Sequence, residues 1–233
     1  MPSRPRDADD HPAASSPIAV GAVSDDPSWG PPEVRELIEF GTARLTRDPG
    51  AAEDALRRAV ASGGAVLADD QIARLRSMIV TAVSGQPGHD TELVAAALAA
   101  AASWEHLSVA DCAHHTLLAA RIHRRAGRHR EAAELYGRAL RHRELPYPPP
   151  EAAILHEQFG QSLQALHRYR DAAREFAIGA RLVANDPGCR ELHADLLSSV
   201  AAAENSARPA AVLRRALRAS VRQLRRPGTS RLP

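Results

Sequence analysis

Four residues with metal-ligating side chains, Cys112, His114, His115 and His123, fall on one predicted helix at 108–126. Cys112 and His115 are three residues apart, which places them on the same face of that helix. A structural zinc site needs four ligands at suitable spacing, and no third and fourth ligand follows here. We therefore interpret these side chains as surface or half-buried residues and predict no metal site.

The carboxylates of the chain offer no obvious acid–base pair. Glu131 and Glu134 fall in the first turns of a predicted helix, where negative charge is favourable, and Glu134 forms an i,i+4 pair with Arg138. The other candidates also lie among arginines at helical spacing: Glu151, Glu157, Asp171 and Glu175. No GxxxxGK[ST], HExxH or GxSxG motif is present. We therefore predict that the protein is not an enzyme and needs no cofactor.

Composition and charge suit a protein of the reducing cytoplasm. The 233 residues include 30 basic residues, all of them arginine, and 28 acidic residues, so the net charge is only +2 and we do not expect nucleic acid as the partner. The spacing of Cys112 and Cys189 does not suggest a disulfide framework. The chain opens with no secretory signal, and no stretch approaches the roughly 20 apolar residues of a membrane span. A cytoplasmic location and no transmembrane segment are predicted.

Turn residues divide the chain into predicted helices. Residues 1–31 are rich in proline, serine, aspartate and glycine, which predicts a disordered arm. Breaks such as NDPG at 185–188 and RP at 208–209 separate the later segments. Alanine and leucine dominate, which favours helix over sheet. The predicted helices are 33–46, 51–62, 69–84, 90–104, 108–126, 129–142, 150–165, 169–184, 188–205 and 209–226.

Small and aromatic residues recur every 40 residues. In RAGRHREAAELYGRAL at 125–140, a small residue, an aromatic residue and a second small residue follow at spacings of four and three. The copies are Ala52, Leu56, Ala59; Glu92, Ala96, Ala99; Ala132, Tyr136, Ala139; Ala172, Phe176, Gly179; and Val212, Ala216, Ala219. A column in the preceding helix is apolar or small throughout: Phe40, Val80, Ala120, Gly160 and Val200. Stacked helix pairs bury a continuous apolar face that one pair cannot, so we predict a five-fold repeat of helix pairs.

The stretches AGRHREAAELYGRAL and HRYRDAAREFAIGA resemble the second helix of tetratricopeptide (TPR) repeats, and FG at 159–160 matches the first helix of that family. Residues 113–146 and 153–187 carry the resemblance best. The family repeat is nearer 34 residues, whereas here extra residues fall between pairs, as in ELPYPPPE. The resemblance implies an all-α solenoid of about five antiparallel helix pairs over residues 32–227, wound as a right-handed superhelix, with 228–233 as a flexible tail.

The same resemblance implies a concave groove lined by the first helix of each pair, where family members commonly hold peptides or helices of partner proteins. Arg121 and Arg125 lie one turn apart and could hold a carboxylate or phosphate by paired hydrogen bonds, although solvated charge is the alternative. We expect an acidic or helical segment of another protein as the partner. The expected groove residues are His114, Leu117, Leu118, Arg121, Arg125, Glu157, Gln158 and Gln161, with Arg74, Ser77 and Thr81 by extension.

The predicted last helix is strongly basic. Its apolar stripe consists of Leu213, Leu217, Val221 and Leu224, and its arginines are Arg214, Arg215, Arg218, Arg222, Arg225 and Arg226. Such a helix suits a cap that seals the end of the array, because terminal repeats need a polar outer face. Docking to an acidic protein, an anionic membrane surface or nucleic acid are the alternatives.

Two functions fit this scaffold. The first is a non-catalytic adaptor that holds a segment of a partner protein in its groove. The second is a regulatory or sensory module of a signalling protein or transcription regulator, with an output domain that is absent or on another chain, as such repeats are arranged in GC-rich bacteria. Both readings leave room for a homo-oligomer.

Overall fold

The structure, a computed structural model, describes residues 29–141 and 147–224, with 209–224 described as helical backbone. Within these residues it contains helices and no strand, which confirms the all-α class. The helices are α1 Pro32–Arg44, α2 Pro49–Gly63, α3 Asp69–Ser84, α4 Asp90–Trp104, α5 Val109–Arg125, α6 His129–Ala139, α7 Pro149–Ala165, α8 Tyr169–Val183 and α9 Arg190–Leu224. A short 3-10 turn at Pro187–Cys189 precedes α9.

Capping side chains and prolines explain where several helices begin. Asp48 accepts a hydrogen bond from the Ala51 backbone amide at 3.1 Å, and Ser108 accepts one from the Asp111 amide at 3.2 Å. Each cap satisfies an amide that the first turn of a helix leaves unpaired. Pro149 opens α7, where the missing amide proton costs no intrahelical bond. As a result, α1 to α8 lie within a few residues of their predicted spans.

The end of the chain differs from the prediction. The two predicted helices 188–205 and 209–226 form one continuous helix, α9, so the predicted break at 208–209 is wrong. Proline has a backbone φ close to the helical value and forfeits one intrahelical hydrogen bond, which a helix with tertiary support can accommodate. The described chain therefore has four helix pairs followed by one long helix in place of a fifth pair.

Neighbouring helices pack against each other within two compact units. The first unit contains α1 to α5 and the end of α6 from Glu134, and the second contains Gly127–Ala133 and α7 to α9. In the first unit α1 packs on α2, α2 on α3, α3 on α4 and α4 on α5. In the second unit α7 packs on α8 and α8 on α9. Each unit has its own apolar core, centred on residues such as Ile38, Leu56 and Leu75 in the first and Leu163, Phe176 and Leu196 in the second.

Many residues of the repeat columns are buried, although Phe40, Glu92 and Ala99 are exposed. Tyr136 and Phe176 are both buried, together with the small residues that flank them. Phe40, however, is 44% exposed, with the Arg44 guanidinium carbon 4.1 Å from its ring centroid. Gly41 takes the inward place, where an added Cβ would come within 2.7 Å of Leu56 Cγ. The inward position of α1 therefore lies one residue later than the 40-residue column predicts, whereas Ala52, Leu56 and Ala59 of α2 are buried as predicted.

The structure describes only the last residues of the predicted arm, and the predicted tail 228–233 lies outside the described residues. Trp29 is buried and belongs to the core of the first unit, and the Arg35 side chain donates a hydrogen bond to the Gly30 carbonyl at 2.8 Å. Among the described residues, no helix is sufficiently long and apolar to cross a membrane.

Candidate functional site

One stripe of α5 carries most of the predicted groove residues. His114, Leu118, Arg121 and Arg125 follow at i, i+4, i+7 and i+11, which puts them on one face of a helix. Leu118 is half-buried and packs against the core of the first unit, whereas Arg125 is exposed. Leu117 lies outside this stripe and is only 1% exposed, so its side chain serves the core and does not reach the surface.

The stripe is positively charged around Arg121. Burial lowers the pKa of His114, and the nearby positive charge of Arg121 lowers that pKa further. Arg121 Nε is buried and has no hydrogen-bond partner among the described residues. An arginine donor without an acceptor is costly unless a ligand supplies one. This face therefore suits an oxygen-rich anionic group.

Behind this face lies a buried polar cluster that connects α3, α4 and α5. Ser77 Oγ donates to the Ala73 carbonyl at 3.1 Å and accepts from Trp104 Nε1–H at 2.9 Å. His115 Nε2 lies 2.8 Å from the same oxygen, so we assign the ring proton to Nε2, which makes Ser77 fully hydrogen-bonded. Ser77 was predicted to extend the groove, but it is 8% exposed and holds these three helices together.

His115 is neutral in this cluster. Burial, followed by the neighbouring His114, lowers the pKa of His115 to about 4. Its Nδ1 is buried without a hydrogen-bond partner in the described chain, which agrees with an unprotonated nitrogen. The serine–histidine contact does not form a nucleophilic pair open to a substrate, because the serine hydroxyl is enclosed and already bonded.

The remaining predicted residues of α3 are at the surface. Arg74 is exposed, and its guanidinium is 3.6 Å from the Asp70 carboxylate one turn earlier. Thr81 is also exposed and donates its hydroxyl to the Ser77 carbonyl at 3.2 Å. Both interactions lie within α3, and an exposed pair of this kind contributes little stability.

In the second unit, α7 presents a polar surface of two glutamines and one glutamate. Glu157 and Gln158 are half-buried and Gln161 is exposed. The Gln161 amide donates to Glu157 Oε1 at 3.0 Å, one turn away. On the side towards α8, His156 Nδ1 lies 2.8 Å from Glu175 Oε2, and this buried contact connects the two helices. The α7 face therefore offers hydrogen bonds more than charge.

The described residues contain no group of three or more histidine, cysteine or acidic side chains that could hold a metal ion. Cys112 is half-buried, and burial raises the pKa of its thiol, which makes it a poor ligand and a poor nucleophile. Of the predicted basic surface, Arg214, Arg215, Arg218 and Arg222 lie on α9 where the structure gives the backbone alone, and Arg225 and Arg226 lie outside the described residues.

A solved structure shares this architecture. It is the crystal structure of a Podosopora anserina protein with nearly identical TPR-like repeats, described as a kinesin light chain; the TM-score is 0.53 and the sequence identity 16%, over 87% of this chain and all of the other. The fold is therefore TPR-like. No protein-family model matches the sequence. No curated protein matches it either.

Proposed function

We propose that the chain is a non-catalytic scaffold that binds a segment of a partner protein on the first helices of its helix pairs. The observation that carries the proposal is the pair Arg121 and Arg125, one turn apart on α5, of which Arg125 is exposed. TPR-like repeats also present extended helical surfaces, and such repeat scaffolds are widely used to hold other proteins.

Charge favours an acidic segment on α5. Arg121 and Arg125 lie one turn apart, so one carboxylate or two neighbouring carboxylates can accept hydrogen bonds from both side chains. A histidine at position 114 extends the same stripe. On α7, Glu157, Gln158 and Gln161 suit contacts with backbone or neutral polar groups of a partner, and we treat that face as a separate contact region.

A scaffold is preferred to an enzyme for a chemical reason. The contact between Ser77 and His115 is enclosed, since Ser77 is 8% exposed and His115 4% exposed. We also propose a cytoplasmic location, because the thiols of Cys112 and Cys189 are free.

Affinity capture from native cell extract tests the scaffold. The bait is the full chain, compared with a double variant, Arg121→Ala with Arg125→Ala. Charge-assisted hydrogen bonds contribute about 1.5–3 kcal/mol each. The loss of two of them should therefore reduce recovery of the partner at least about tenfold. Quantitative mass spectrometry of the captured proteins measures the difference.

The matched control is Arg47→Ala with Arg58→Ala, which removes two exposed arginines of the same unit away from α5. It should recover the partner as well as the unmodified chain does. Circular dichroism must show equal helix content for all three proteins. A partner recovered equally by all three would refute the α5 face, and recovery of no partner would refute the scaffold.

A further inference from the structure

An open cleft runs between α8 and α9 in the second unit, on neither of the faces discussed above. One end has a volume of about 480 Å³ and the other about 620 Å³. The two ends share Arg174, Ala177 and Val200, so they form one continuous cleft. It is set apart from the α7 surface by its position against the last helix.

Small residues create the space. Along α8 the lining positions include three alanines, Ala173, Ala177 and Ala180, whose short side chains leave room between α8 and α9. From α9, Val200 and Leu197 face the cleft, and Leu197 remains 50% exposed. An exposed leucine and valine beside such a gap provide an apolar floor that a partner side chain can cover.

Arginines surround this floor. Arg170, Arg174, Arg181 and Arg208 line the cleft, against a single acidic residue, Glu204. Arg174 is 77% exposed and lies 3.5 Å from the Asp171 carboxylate, a weak surface pair. Neither Arg170 nor Arg208 forms a side-chain ion pair or hydrogen bond with another described residue. After Glu204 the sequence contains no further acid, so the positive charge extends beyond the cleft.

We propose that this cleft binds an acidic amphipathic segment of a partner protein, with apolar side chains on the alanine, valine and leucine floor and carboxylates paired with the arginine rim. A segment of this kind matches both halves of the lining, the apolar floor and the positive edge. A nucleic acid matches the positive edge but would leave the aliphatic floor uncovered, and among the described lining residues only His193 offers a ring for a base to stack on.

Fluorescence anisotropy of the full chain tests this surface. The probe is a labelled synthetic amphipathic helix of leucine, alanine and glutamate, and the comparison peptide has every glutamate replaced by glutamine. We expect saturable binding of the glutamate peptide, at least about tenfold weaker binding of the glutamine peptide, and weakening with salt. Equal binding of the two peptides, or no binding, would overturn the proposal.

Variants assign the binding to the cleft. Arg170→Ala with Arg208→Ala should weaken binding at least about tenfold, and Leu197→Gln should weaken it without changing the charge. Arg47→Ala with Arg58→Ala is the matched control and should bind normally. The measurements are repeated in the Arg121→Ala with Arg125→Ala background, so that binding of the acidic peptide at the α5 face cannot account for a signal assigned to the cleft.

Two further probes test the class of partner. A labelled single-stranded oligonucleotide and vesicles with anionic lipid are offered to the same proteins. Weak binding of both, unaffected by Arg170→Ala with Arg208→Ala, supports a protein segment as the occupant. Tighter binding of either probe than of the glutamate peptide, lost in that variant, would replace the proposed occupant and overturn the inference.

Discussion

The helix pairs α5–α6 and α7–α8 match each other at a spacing of 40 residues, yet they differ in their core residues, in their turns and in the partners of their buried histidines. Each pair has a buried aromatic residue at the same repeat position, Tyr136 in the first pair and Phe176 in the second. The residue of the first helix at the matching position is Ala120 in one pair and Gly160 in the other. The repeat therefore specifies a large side chain opposite a small one, and the sizes vary from pair to pair.

The turn inside each pair has the same backbone conformation with different residues. Gly127 has φ of +72° after α5, and His167 has φ of +57° after α7. Glycine adopts this left-handed conformation without strain, whereas histidine pays a steric cost. The second pair offsets part of that cost with a hydrogen bond between His167 Nδ1 and Tyr169 Oη at 2.7 Å.

The buried histidines of the two pairs have different partners. His115 of α5 contacts the Ser77 hydroxyl of an earlier helix, whereas His156 of α7 contacts the Glu175 carboxylate of its own partner helix. A hydroxyl accepts a hydrogen bond from neutral imidazole but offers no charge to stabilise the protonated ring. We therefore expect acid to destabilise the α3–α5 region. The first experiment below tests this expectation, and the two that follow test the core residues and the turn.

The largest expected effect is acid destabilisation through His115. Its pKa is about 4 in the folded chain, against 6.5 for an exposed histidine, so between these values the unfolded chain binds more protons. The contribution of neutral His115 to the free energy of unfolding is therefore fully present above pH 6.5. It falls by about 3 kcal/mol as the pH drops towards 4. Urea unfolding at pH 7 and pH 4 measures it by tryptophan fluorescence, since both tryptophans, Trp29 and Trp104, lie in the first unit.

The control for this experiment is His115→Gln, which keeps a nitrogen donor near Ser77 and cannot titrate. Other groups of the chain titrate in both proteins, so their effects cancel in the difference between them. Between pH 7 and pH 4, the free energy of unfolding of the variant should fall by about 3 kcal/mol less than that of the unmodified chain. Equal losses would mean that His115 is already solvated and protonated in the folded chain.

The next effect tests size matching in the α7–α8 pair. An added Cβ at Gly160 would lie 2.5 Å from Phe176 Cε1 in a closely packed core. Gly160→Ala should therefore destabilise the chain by about 2 kcal/mol in urea unfolding followed by circular dichroism. Adding Phe176→Leu should recover part of the loss, since the ring is the obstacle. The control is Gly50→Ala, where the atom nearest to the added Cβ is 3.8 Å away, and it should leave the free energy of unfolding unchanged.

The sequence predicts the helices well because caps, prolines and glycine-rich turns are local signals, as at Asp48 and Ser108. The sequence does not predict features that depend on tertiary packing. Gly41 takes the place of Phe40 in the core because α1 is shifted by one residue, a shift that only its contact with Leu56 reveals. Leu117 was assigned to the groove by resemblance, although the helical period places it beside the core. The α8–α9 cleft depends on the distance between helices, which alanine spacing alone does not determine.

The smallest effect concerns the turn, where backbone strain can be separated from packing. An added Cβ at Gly127 meets no atom within 4 Å, so Gly127→Ala tests conformation alone and should cost about 1 kcal/mol. His167→Gly should stabilise the chain, but by less than about 1 kcal/mol. Glycine relieves the backbone strain, whereas its greater freedom in the unfolded chain and the lost contact with Tyr169 offset part of that gain. Urea midpoints of both variants measure the difference. If Gly127→Ala proves as stable as the unmodified chain, the two turns are equivalent and the strain assigned to His167 is absent.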